Sequence, residues 1–509
     1  MLTEKKYIEK YMDILTLIFK WTYLIFILLF DNSIIYDTLL TKILSKIIII
    51  IGCIVLIWRM LNIKECIKYP YVKFFVLFLA TFLVTILFNY RYGYISNIKL
   101  FIWMTFQFFI LYSFDNKKNN DFEFKSVLFI IIIYTTIVNL IGIKMLFNNY
   151  MEERLVENNH RLLLIGVAYW GRLFGIHTDP NYGAVLSIIA VMSAIYLFVK
   201  YKNIYLKIIM GITIFIQIVH ISFSASRTGL VCICIAFAIF FFFYTIKNKK
   251  NTVNAVITAV IAVGLCLIMI KLIPMTYNAY VDSMSVNENE QQIFDNNIVG
   301  ESIIDEEKQT LGVPIEKESS VEQPIQVEQE QSIDKNQVKQ EQNTDKQLVK
   351  IGRDEEIGGD ISNRRFDLWR NGVQTFSKSP IIGIGFGNII EYSKINLPDC
   401  YMLNNDLGVF GSYHNFLIDL LVSQGLIGFI IFVLIIVFIL RYIIANYKYI
   451  KEEEKTEFAF LISSCACIVC SNMFTSGIVY CNNETTVIFW MLLGYLINML
   501  YKCRNSIEE

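Results

Sequence analysis

Histidine is scarce in this chain, and its positions limit where acid–base chemistry can occur. The four histidines are His160, His177, His220 and His414. Imidazole changes its charge near neutral pH, so it is well suited to accept a proton from a substrate hydroxyl. Two of the four stand in polar segments beside apolar runs, since His414 precedes Asn415 and His177 lies two residues before Asp179. These two segments are candidates for a reactive site.

Five of the arginines lie in similar polar segments. These five are Arg172, Arg227, Arg364, Arg365 and Arg370. A guanidinium group at the mouth of an apolar helix bundle is costly to dehydrate unless it has a partner or an anionic ligand. Its planar set of donors matches phosphate oxygens, so a diphosphate is the natural ligand. A single arginine such as Arg227 could instead snorkel or pair with Asp179, but several arginines near a histidine favour an anion site.

The composition shows in which environment these residues act. Of the 509 residues, 55% are hydrophobic and 18% are charged, and the mean hydropathy is +0.50. Soluble proteins average about 25% charged residues, so an ordinary soluble enzyme is excluded. The 45 Lys and Arg residues balance the 45 Asp and Glu residues, so no basic excess points to nucleic acid as a partner.

The apolar segments are long enough to cross a bilayer as helices. The hydrocarbon core requires about 20 apolar residues per helix, because lipid cannot satisfy exposed backbone groups. Twelve segments meet this requirement, near residues 14–30, 41–60, 72–89, 95–114, 124–147, 180–200, 204–222, 227–246, 253–273, 414–445, 457–478 and 485–501. The sequence therefore predicts an all-α fold, a polytopic membrane helix bundle.

Lysine marks one side of this bundle. Loops that contain Lys5, Lys117, Lys202, Lys448 and Lys502 alternate with loops that contain almost no lysine. Cytoplasmic loops carry the excess of basic residues, so we predict that both termini are cytoplasmic. The first apolar stretch has no small-residue cleavage site, so we predict a span there and not a signal peptide. The histidines and the clustered arginines then lie on or near the extracytoplasmic face.

A long polar segment separates the ninth and tenth predicted spans. The predicted organisation is residues 1–273 with nine spans, residues 274–413 as a large extracytoplasmic loop, and residues 414–509 with three spans. Within the loop, residues 284–360 are rich in Glu, Gln, Asn and Lys and nearly lack aromatics, which predicts disorder. Residues 362–412 predict an amphipathic helix followed by an ordered loop.

The predicted amphipathic helix begins in SNRRFDLWRNGVQTF, behind a Ser or Asn cap. Phe366, Trp369, Val373 and Phe376 recur on one helical face. We expect this helix to lie along the membrane surface or on the bundle. The segment SKSPIIGIGFGN that follows is typical of a Pro/Gly turn that lets the backbone pack tightly against the bundle.

An ordered set of motifs resembles a known family. SASRTGL, RFDLWRNGVQTFSKSPIIGIGFG and HNFLIDLLVSQGLIGFIIF occur in this order, and GRLFGIHTDPNYGAVLS precedes them. Over roughly residues 170 to 440, the chain resembles the O-antigen ligase and polysaccharide polymerase (Wzy-type) family. Members are integral membrane glycosyltransferases of the GT-C type, which take a glycan from an undecaprenyl diphosphate carrier outside the bacterial cytoplasmic membrane. They use no metal and no nucleotide sugar, so no cofactor is expected.

The resemblance assigns roles to particular residues. It implies that Arg227 and Arg365 hold the diphosphate and that His414 serves the acceptor hydroxyl as the catalytic residue. We expect Arg172 to bind the diphosphate with them, and Asp179, His177 and Asn415 to support the site, with His177 and Asp179 as reserve bases. A lipid diphosphate leaves as a stable anion, so fixed positive charge helps where charge develops, and arginine supplies it without Mg²⁺. A one-step displacement would invert the anomeric configuration.

Several functions fit these expectations. The first is a polymerase that joins undecaprenyl-diphosphate-linked oligosaccharide units into capsular or exopolysaccharide, and the second is a ligase that moves the glycan to another acceptor. The bias towards Ile, Lys, Asn and Tyr is expected from an AT-rich genome, such as that of many Gram-positive bacteria, and favours the polymerase. A lipid-linked oligosaccharide flippase would carry internal repeats and polar residues at mid-depth, which the sequence lacks. Motifs of the cell-wall polymerases of shape, elongation and division are not found.

The sequence leaves further points open. They are the sugars, the linkage, the acceptor, the oligomeric state, the role of residues 284–360, a chain-length regulator as a partner, and a disulfide between Cys400 and Cys481.

Overall fold

The computed structural model describes residues 2–62, 71–113, 120–156, 161–168, 170–246, 251–304, 348–352, 362, 364–405 and 408–508. This described part is built mainly from α-helices, with one small antiparallel sheet. The helices are α1 (Leu2–Phe30), α2 (Leu39–Leu61), α3 (Val72–Phe88), α4 (Tyr94–Phe106), α5 (Asp121–Phe147), α6 (Pro180–Lys200), α7 (Ile204–Phe223), α8 (Arg227–Thr245), α9 (Thr252–Ile304), α10 (Arg365–Lys378), α11 (Ile389–Asn396), α12 (Phe416–Asn446), α13 (Lys455–Asn472) and α14 (Glu484–Glu508). A π-helical turn, Gln107–Tyr112, continues α4.

A helix is present at each of the 12 predicted spans, and ten are long and apolar enough to cross a membrane. The fold class predicted from the sequence, a polytopic all-α membrane protein, is confirmed. The two remaining helices are α3, which has 17 residues, and α13, a continuous helix of 18 residues that includes the polar residues Ser463 and Ser464. Because α13 packs against α6, α8 and α14, it does not need a lipid-facing apolar surface.

The core of the bundle surrounds α6 and α14. Their side chains are largely buried, and Trp490 is among the largest fully buried residues. By contrast α2 and α9 lie at the periphery, where Ile50 and Leu265 are 61% and 60% exposed. Such exposed aliphatic side chains are expected where a helix faces lipid. The helices α6, α8, α12 and α14 all begin at one end of the bundle, which we call the site end.

The helix α9 extends beyond the predicted span. It continues to Ile304, into the tract for which the sequence predicts disorder, and that disorder stays a prediction. Glu and Gln are good helix formers, and extending an existing helix avoids the cost of nucleation. The short segment 348–352 is also ordered, because Ile351 exchanges hydrogen bonds of 2.8 and 2.7 Å with the side chain of Asn278 on α9. The rest of the predicted disordered tract lies outside the described residues.

A three-stranded antiparallel sheet connects α5 to α6. Its strands are β1 (Met151–Val156), β2 (Arg161–Ala168) and β3 (Arg172–Gly175), in the order β1-β2-β3. The strand β3 packs closely on α5, since a Cβ atom added to Gly142 would lie 3.1 Å from the Cα of Gly175. The sequence pattern did not predict this sheet, which carries Arg172 to the site end of the bundle.

The helix α10 packs on the bundle through part of the predicted apolar face, the half-buried Trp369 and Phe376, and through the neighbouring polar face. Its buried residues are Leu368, Asn371, Gly372 and Thr375, whereas Phe366 and Val373 are 63% and 61% exposed. A Cβ atom added to Gly372 would lie 2.3 Å from Cγ2 of Ile418 on α12, so only glycine permits this approach. Hydrogen bonds allow the polar face to be buried, and a hydrophobic pattern does not reveal them.

The glycine-rich segment after α10 inserts into a break in α12. At Gly425 the helix has a φ of 61°, a left-handed conformation that glycine tolerates. The backbone N–H groups of Ile384 and Gly385 donate to the carbonyls of Val422 and Ser423, each at 2.9 Å. The segment therefore satisfies backbone groups that the kink would otherwise leave unpaired, and it fixes α10 beside α12.

Candidate functional site

The start of α12 holds His414 in an unusual backbone conformation. Its φ is 50°, in the left-handed region that costs a non-glycine residue about 1–3 kcal/mol. The next residue, Asn415, caps α12 by accepting hydrogen bonds from the N–H groups of Leu417 and Ile418 at 3.0 and 3.2 Å. The His414 ring meets the ring of Phe410 edge-on, with a centroid distance of 5.4 Å. Such strain is common at functional sites.

A buried carboxylate fixes the backbone next to His414. Asp419 lies in the first turn of α12 and is 2% exposed. One carboxylate oxygen accepts a hydrogen bond from the N–H of Tyr413 at 2.9 Å, and the other accepts one from the Ser476 hydroxyl at 2.8 Å. The phenol of Tyr413 in turn donates to the Thr375 hydroxyl on α10, at 2.9 Å. The residue before His414 is therefore held from two sides.

The turn that follows α13, residues 473–476, joins three of these elements. The Asn415 amide donates to the Met473 carbonyl at 3.0 Å, and the Tyr182 phenol on α6 donates to the Ser476 carbonyl at 3.0 Å. Between these residues, the ring of Phe474 lies 5.8 Å from the guanidinium carbon of Arg365. The sequence pattern assigned these residues to a membrane span. The turn instead connects the His414 segment with the start of α10.

The starts of α6 and α8 are tied to each other. Asp179 caps α6 by accepting a hydrogen bond from the N–H of Asn181 at 2.6 Å, and proline at the first helical position favours the same geometry. The amide oxygen of Asn181 accepts a hydrogen bond of 2.8 Å from Ser226, which itself caps α8. Arg227 follows that cap, and its side chain is exposed.

Arg172 on β3 reaches the same junction from the sheet. It is 6% exposed, and its Nε donates to the Ser224 carbonyl at 3.1 Å while an Nη lies 3.4 Å from the Asn181 amide oxygen. These bonds attach β3 to the turn between α7 and α8. Arg172 thus has a structural role as well as a charge close to the predicted anion site.

Arg365, the first residue of α10, faces this junction. Burial lowers the pKa of its guanidinium, the positive charges of Arg172 and Arg227 lower it further, and the carboxylate of Asp179 opposes them. A guanidinium stays protonated at neutral pH despite such a shift, because its usual pKa is above about 12. The charges of Arg172, Arg227 and Asp179 therefore all act on the Arg365 guanidinium, and we call these four residues the arginine cluster. The predicted diphosphate-binding residues are brought together.

His177 does not belong to the arginine cluster. It is 1% exposed, and its Nδ1 lies 3.0 Å from Asp31 while its Nε2 lies 3.1 Å from the amide oxygen of Asn139. Both ring nitrogens are therefore occupied by buried partners, which does not suit the reserve base that we expected. His220 bonds to Ser187 within the bundle, and His160 lies outside the described residues.

A polar cavity of about 450 Å³ lies between α10 and the segment that follows α11. Its lining includes Asp367, Gln374, Asn396, Asp399 and Tyr401. Tyr401 stacks on Phe410 at 6.4 Å, and Phe410 in turn contacts His414. Carboxylates and amides beside an aromatic ring can bind sugar hydroxyls and the apolar face of a sugar ring. We call this cavity the α10 groove.

The sequence left open whether Cys400 and Cys481 form a disulfide. Cys400 and Cys481 are both free, so the disulfide left open by the sequence is absent. In the part of the chain that the structure describes, no group of three or more His, Cys, Asp or Glu residues is arranged to hold a metal ion.

Part of the region that forms this site also matches a protein family. Residues 212–433 match the family described as "Wzy_C: O-Antigen ligase". The match covers less than half of the chain, and this stretch is similar to the O-antigen ligase family. Arg227, Arg365 and His414 lie within the matched residues, and the β3–α6 segment precedes them. The resemblance inferred from the motifs is confirmed, and the match supports glycosyl transfer as the general class of reaction.

One relative adds a smaller match. An uncharacterized protein of Haemophilus influenzae is 30% identical over 138 residues, which is 27% of this chain and 31% of the relative. The chain thus matches less than a third of the length of that relative, whose name states no activity. The functional information comes from the match to the O-antigen ligase family.

Proposed function

We propose that this protein polymerises undecaprenyl-diphosphate-linked oligosaccharide units into capsular or exopolysaccharide. The arginine cluster is the observation that carries the proposal. Arg365 is partly dehydrated and is repelled by Arg172 and Arg227, with Asp179 opposing that repulsion. A diphosphate bound between Arg227 and Arg365 would relieve the repulsion and accept bidentate hydrogen bonds.

The reaction is a single displacement at the anomeric carbon of the donor sugar. The acceptor oxygen forms a bond to that carbon while the bond to the diphosphate oxygen breaks, and the electron pair leaves with the lipid diphosphate. His414 takes the proton of the acceptor hydroxyl and later releases it to solvent. Because attack and departure occur on opposite faces, the configuration is inverted. The guanidinium groups offset the charge that develops on the leaving oxygen, without a metal ion.

The α10 groove is suited to the acceptor glycan. It is lined by Asp367, Gln374 and Asp399, and it reaches His414 through Tyr401 and Phe410. An acceptor in the groove and a donor at the arginine cluster would approach His414 from two directions. This arrangement suits a polymerase, which must hold two glycans at once.

The proposal includes the sidedness that lysine predicts. The site end of the bundle would face outwards from a bacterial cytoplasmic membrane, with both termini inside. Donor units would then reach the cluster after their translocation, from the outer leaflet of the bilayer.

Chain growth by the purified protein tests this function. The protein is incubated with a lipid-diphosphate-linked repeat unit in EDTA, and products are resolved by length. We expect His414→Ala to lower the rate about 10²–10⁴-fold, the usual contribution of a general base. Lys394→Ala, an exposed residue of α11, should leave the rate unchanged. Chain growth by His414→Ala at the rate of the intact protein would contradict the proposal.

The same assay separates the alternatives. A ligase would transfer the glycan to an added lipid acceptor and would not extend donor chains. A flippase would leave the lipid chemically unchanged and would move it across the membrane of a vesicle. Inversion is tested by comparing the anomeric configuration of product and donor.

A further inference from the structure

A second cavity lies at the end of the bundle opposite the arginine cluster. Its volume is about 480 Å³, and it is formed by the last turns of α12, the end of α14 and the start of α3. The side chains that define it are Tyr71, Arg441, Tyr442, Lys448, Tyr449 and Arg504. We call it the basic cavity.

The position of the basic cavity follows from the length of α12. This helix begins beside His414, is kinked at Gly425 and reaches Arg441 25 residues after Phe416, so at about 1.5 Å per residue its path is roughly 38 Å long. That distance matches the thickness of a bilayer, about 30 Å of hydrocarbon plus part of the headgroup regions. The basic cavity therefore lies at headgroup depth, on the opposite face from His414.

The charge of the cavity is of one sign. Arg441, Lys448 and Arg504 line it, and no carboxylate does so among the residues that the structure describes. Arg441 opposes the rise in pKa that burial gives Tyr71, so its charge acts on the phenol across the cavity. The ammonium of Lys448 lies 4.8 Å from the centre of the Tyr449 ring. The positive-inside rule requires only that basic residues be present in the cytoplasmic loops. In the basic cavity, by contrast, the basic side chains and the tyrosine phenols line the same cavity.

An apolar surface continues from the cavity towards the middle of the membrane. The ring of Tyr71 is nearly parallel to that of Phe438, with centroids 5.7 Å apart, and Phe74 also stacks on Phe438, at 5.0 Å. Leu434 and Leu440 on α12 are 40% and 48% exposed. A charged pocket above exposed aliphatic side chains has the shape of a lipid, with a headgroup above its acyl chains.

We infer that the basic cavity binds the phosphate of an anionic phospholipid. Arg441 and Lys448 contact the phosphate, the phenols of Tyr71 and Tyr442 donate hydrogen bonds to its oxygens, and the acyl chains lie along α12 below Phe438. The lipid thereby links α3, α12 and α14. This site is independent of the proposed glycosyl transfer.

Lipid retention measured by native mass spectrometry tests the inference. The full chain is purified in detergent and offered phosphatidylglycerol or the zwitterionic phosphatidylcholine. We expect preferential retention of phosphatidylglycerol, and about 30-fold weaker retention in the double variant Arg441→Gln/Lys448→Gln, because each basic residue near the surface contributes roughly a five-fold factor. The matched control Lys10→Gln/Lys202→Gln removes two exposed lysines that do not line the cavity. Equal retention by the two double variants would overturn the inference.

Two further measurements distinguish lipid binding from a folding defect and from the binding of free phosphate. If the Arg441→Gln/Lys448→Gln variant does not fold, the test uses the unaltered protein and the charge-conserving variant Lys448→Arg. For both proteins we expect stronger retention of phosphatidylglycerol than of phosphatidylcholine. Retention of both lipids to the same extent would then refute the site. Inorganic diphosphate at millimolar concentration is the remaining probe. If it raises the thermal midpoint as much as phosphatidylglycerol does, and Arg441→Gln/Lys448→Gln removes that rise, the cavity binds free phosphate and the lipid assignment is wrong; a rise that persists in this variant comes from the arginine cluster.

Discussion

The backbone N–H of Tyr413, the residue before His414, donates a hydrogen bond of 2.9 Å to a carboxylate oxygen of Asp419. This bond spans the start of α12 and holds the strained segment in which the predicted base lies. The second oxygen of Asp419 binds Ser476, in the turn that also carries Phe474 against Arg365. One buried carboxylate thus connects the position of the base with the position of the arginine cluster.

Replacing Asp419 tests this connection. In Asp419→Ala, the N–H of Tyr413 and the hydroxyl of Ser476 lose their acceptor, which costs about 1–3 kcal/mol per unsatisfied buried group. We expect a lower thermal midpoint and a lower kcat, with little change in KM, because Asp419 orients His414 without touching substrate. Asp419→Asn retains one acceptor and should recover part of the kcat. Loss of stability with an unchanged kcat would limit Asp419 to a structural role.

Gly372 provides a test of how α10 is positioned. In Gly372→Ala, the new methyl group would meet Ile418 at 2.3 Å and the ring of Tyr413 at 3.1 Å. Overpacking of this kind typically costs about 1–3 kcal/mol, and it would displace Arg365 from the cluster. We expect lower glycan transfer together with a lower thermal midpoint.

Gly211 and Gly264 are matched controls for that substitution. A Cβ atom at either position meets nothing within 4 Å. Alanine there should leave activity unchanged, and alanine favours a helix over glycine by about 1 kcal/mol. A Gly372→Ala protein as active as these controls would show that close packing of α10 on α12 is not needed.

His177 should prove structural. Removing the His177 ring deprives Asp31 and Asn139 of a buried hydrogen-bond partner, which typically costs about 1–3 kcal/mol per unsatisfied group. His177→Gln keeps a side chain that can bond to both Asp31 and Asn139, so it should be more stable than His177→Ala. We expect the specific activity of the folded His177→Gln protein to match that of the unaltered chain. A folded His177→Gln variant without activity would restore His177 as a candidate base.

The α10 groove can be tested through the kinetics of the acceptor, if the proposed glycosyl transfer holds. Asp399 is exposed and lines the groove, so Asp399→Ala should not affect folding. A lost hydrogen bond to a sugar hydroxyl weakens binding by about 0.5–1.5 kcal/mol, or roughly 2–13-fold. We expect KM for the acceptor glycan to rise by that factor while KM for the lipid-linked donor stays constant. A rise in the donor KM alone would place the acceptor elsewhere.

The sequence predicted the helices well because membrane spans depend mainly on length and hydropathy. Lipid contact makes the apolar pattern of α2 or α9 easy to recognise, and the N-terminal caps at Asp179 and Ser226 follow local rules. The motifs also located the arginines and His414 on segments that the fold brings towards one end. The arginines and His414 lie at the same end because the helices that follow them begin at that end. This could be predicted, since successive spans cross the membrane in alternating directions.

Three features required long-range information. The buried face of α10 is polar because Asn371 accepts a hydrogen bond from Met402 and Thr375 accepts one from Tyr413, and hydropathy does not encode such bonds. His177 looked reactive in isolation, but its partners come from residues 31 and 139. The role of Asp419 in holding the His414 segment was not predicted. An acidic residue in the first turn of a helix is commonly explained by its favourable interaction with the helix dipole. The Thr475–Ser476–Gly477 sequence was the available signal for the turn after α13.

Release of undecaprenyl diphosphate from a lipid-linked donor tests the central claim most directly, because it follows the leaving group that the arginine cluster is proposed to hold. We compare Arg365→Ala with Arg91→Ala, since Arg91 is an exposed arginine that donates a hydrogen bond to Tyr92 and lies outside the cluster. Arg365→Ala should slow release by about 10²–10³-fold, Arg365→Lys should recover only part of that loss, and Arg91→Ala should behave as the unaltered protein. Release by Arg365→Ala at the rate of Arg91→Ala would contradict the account.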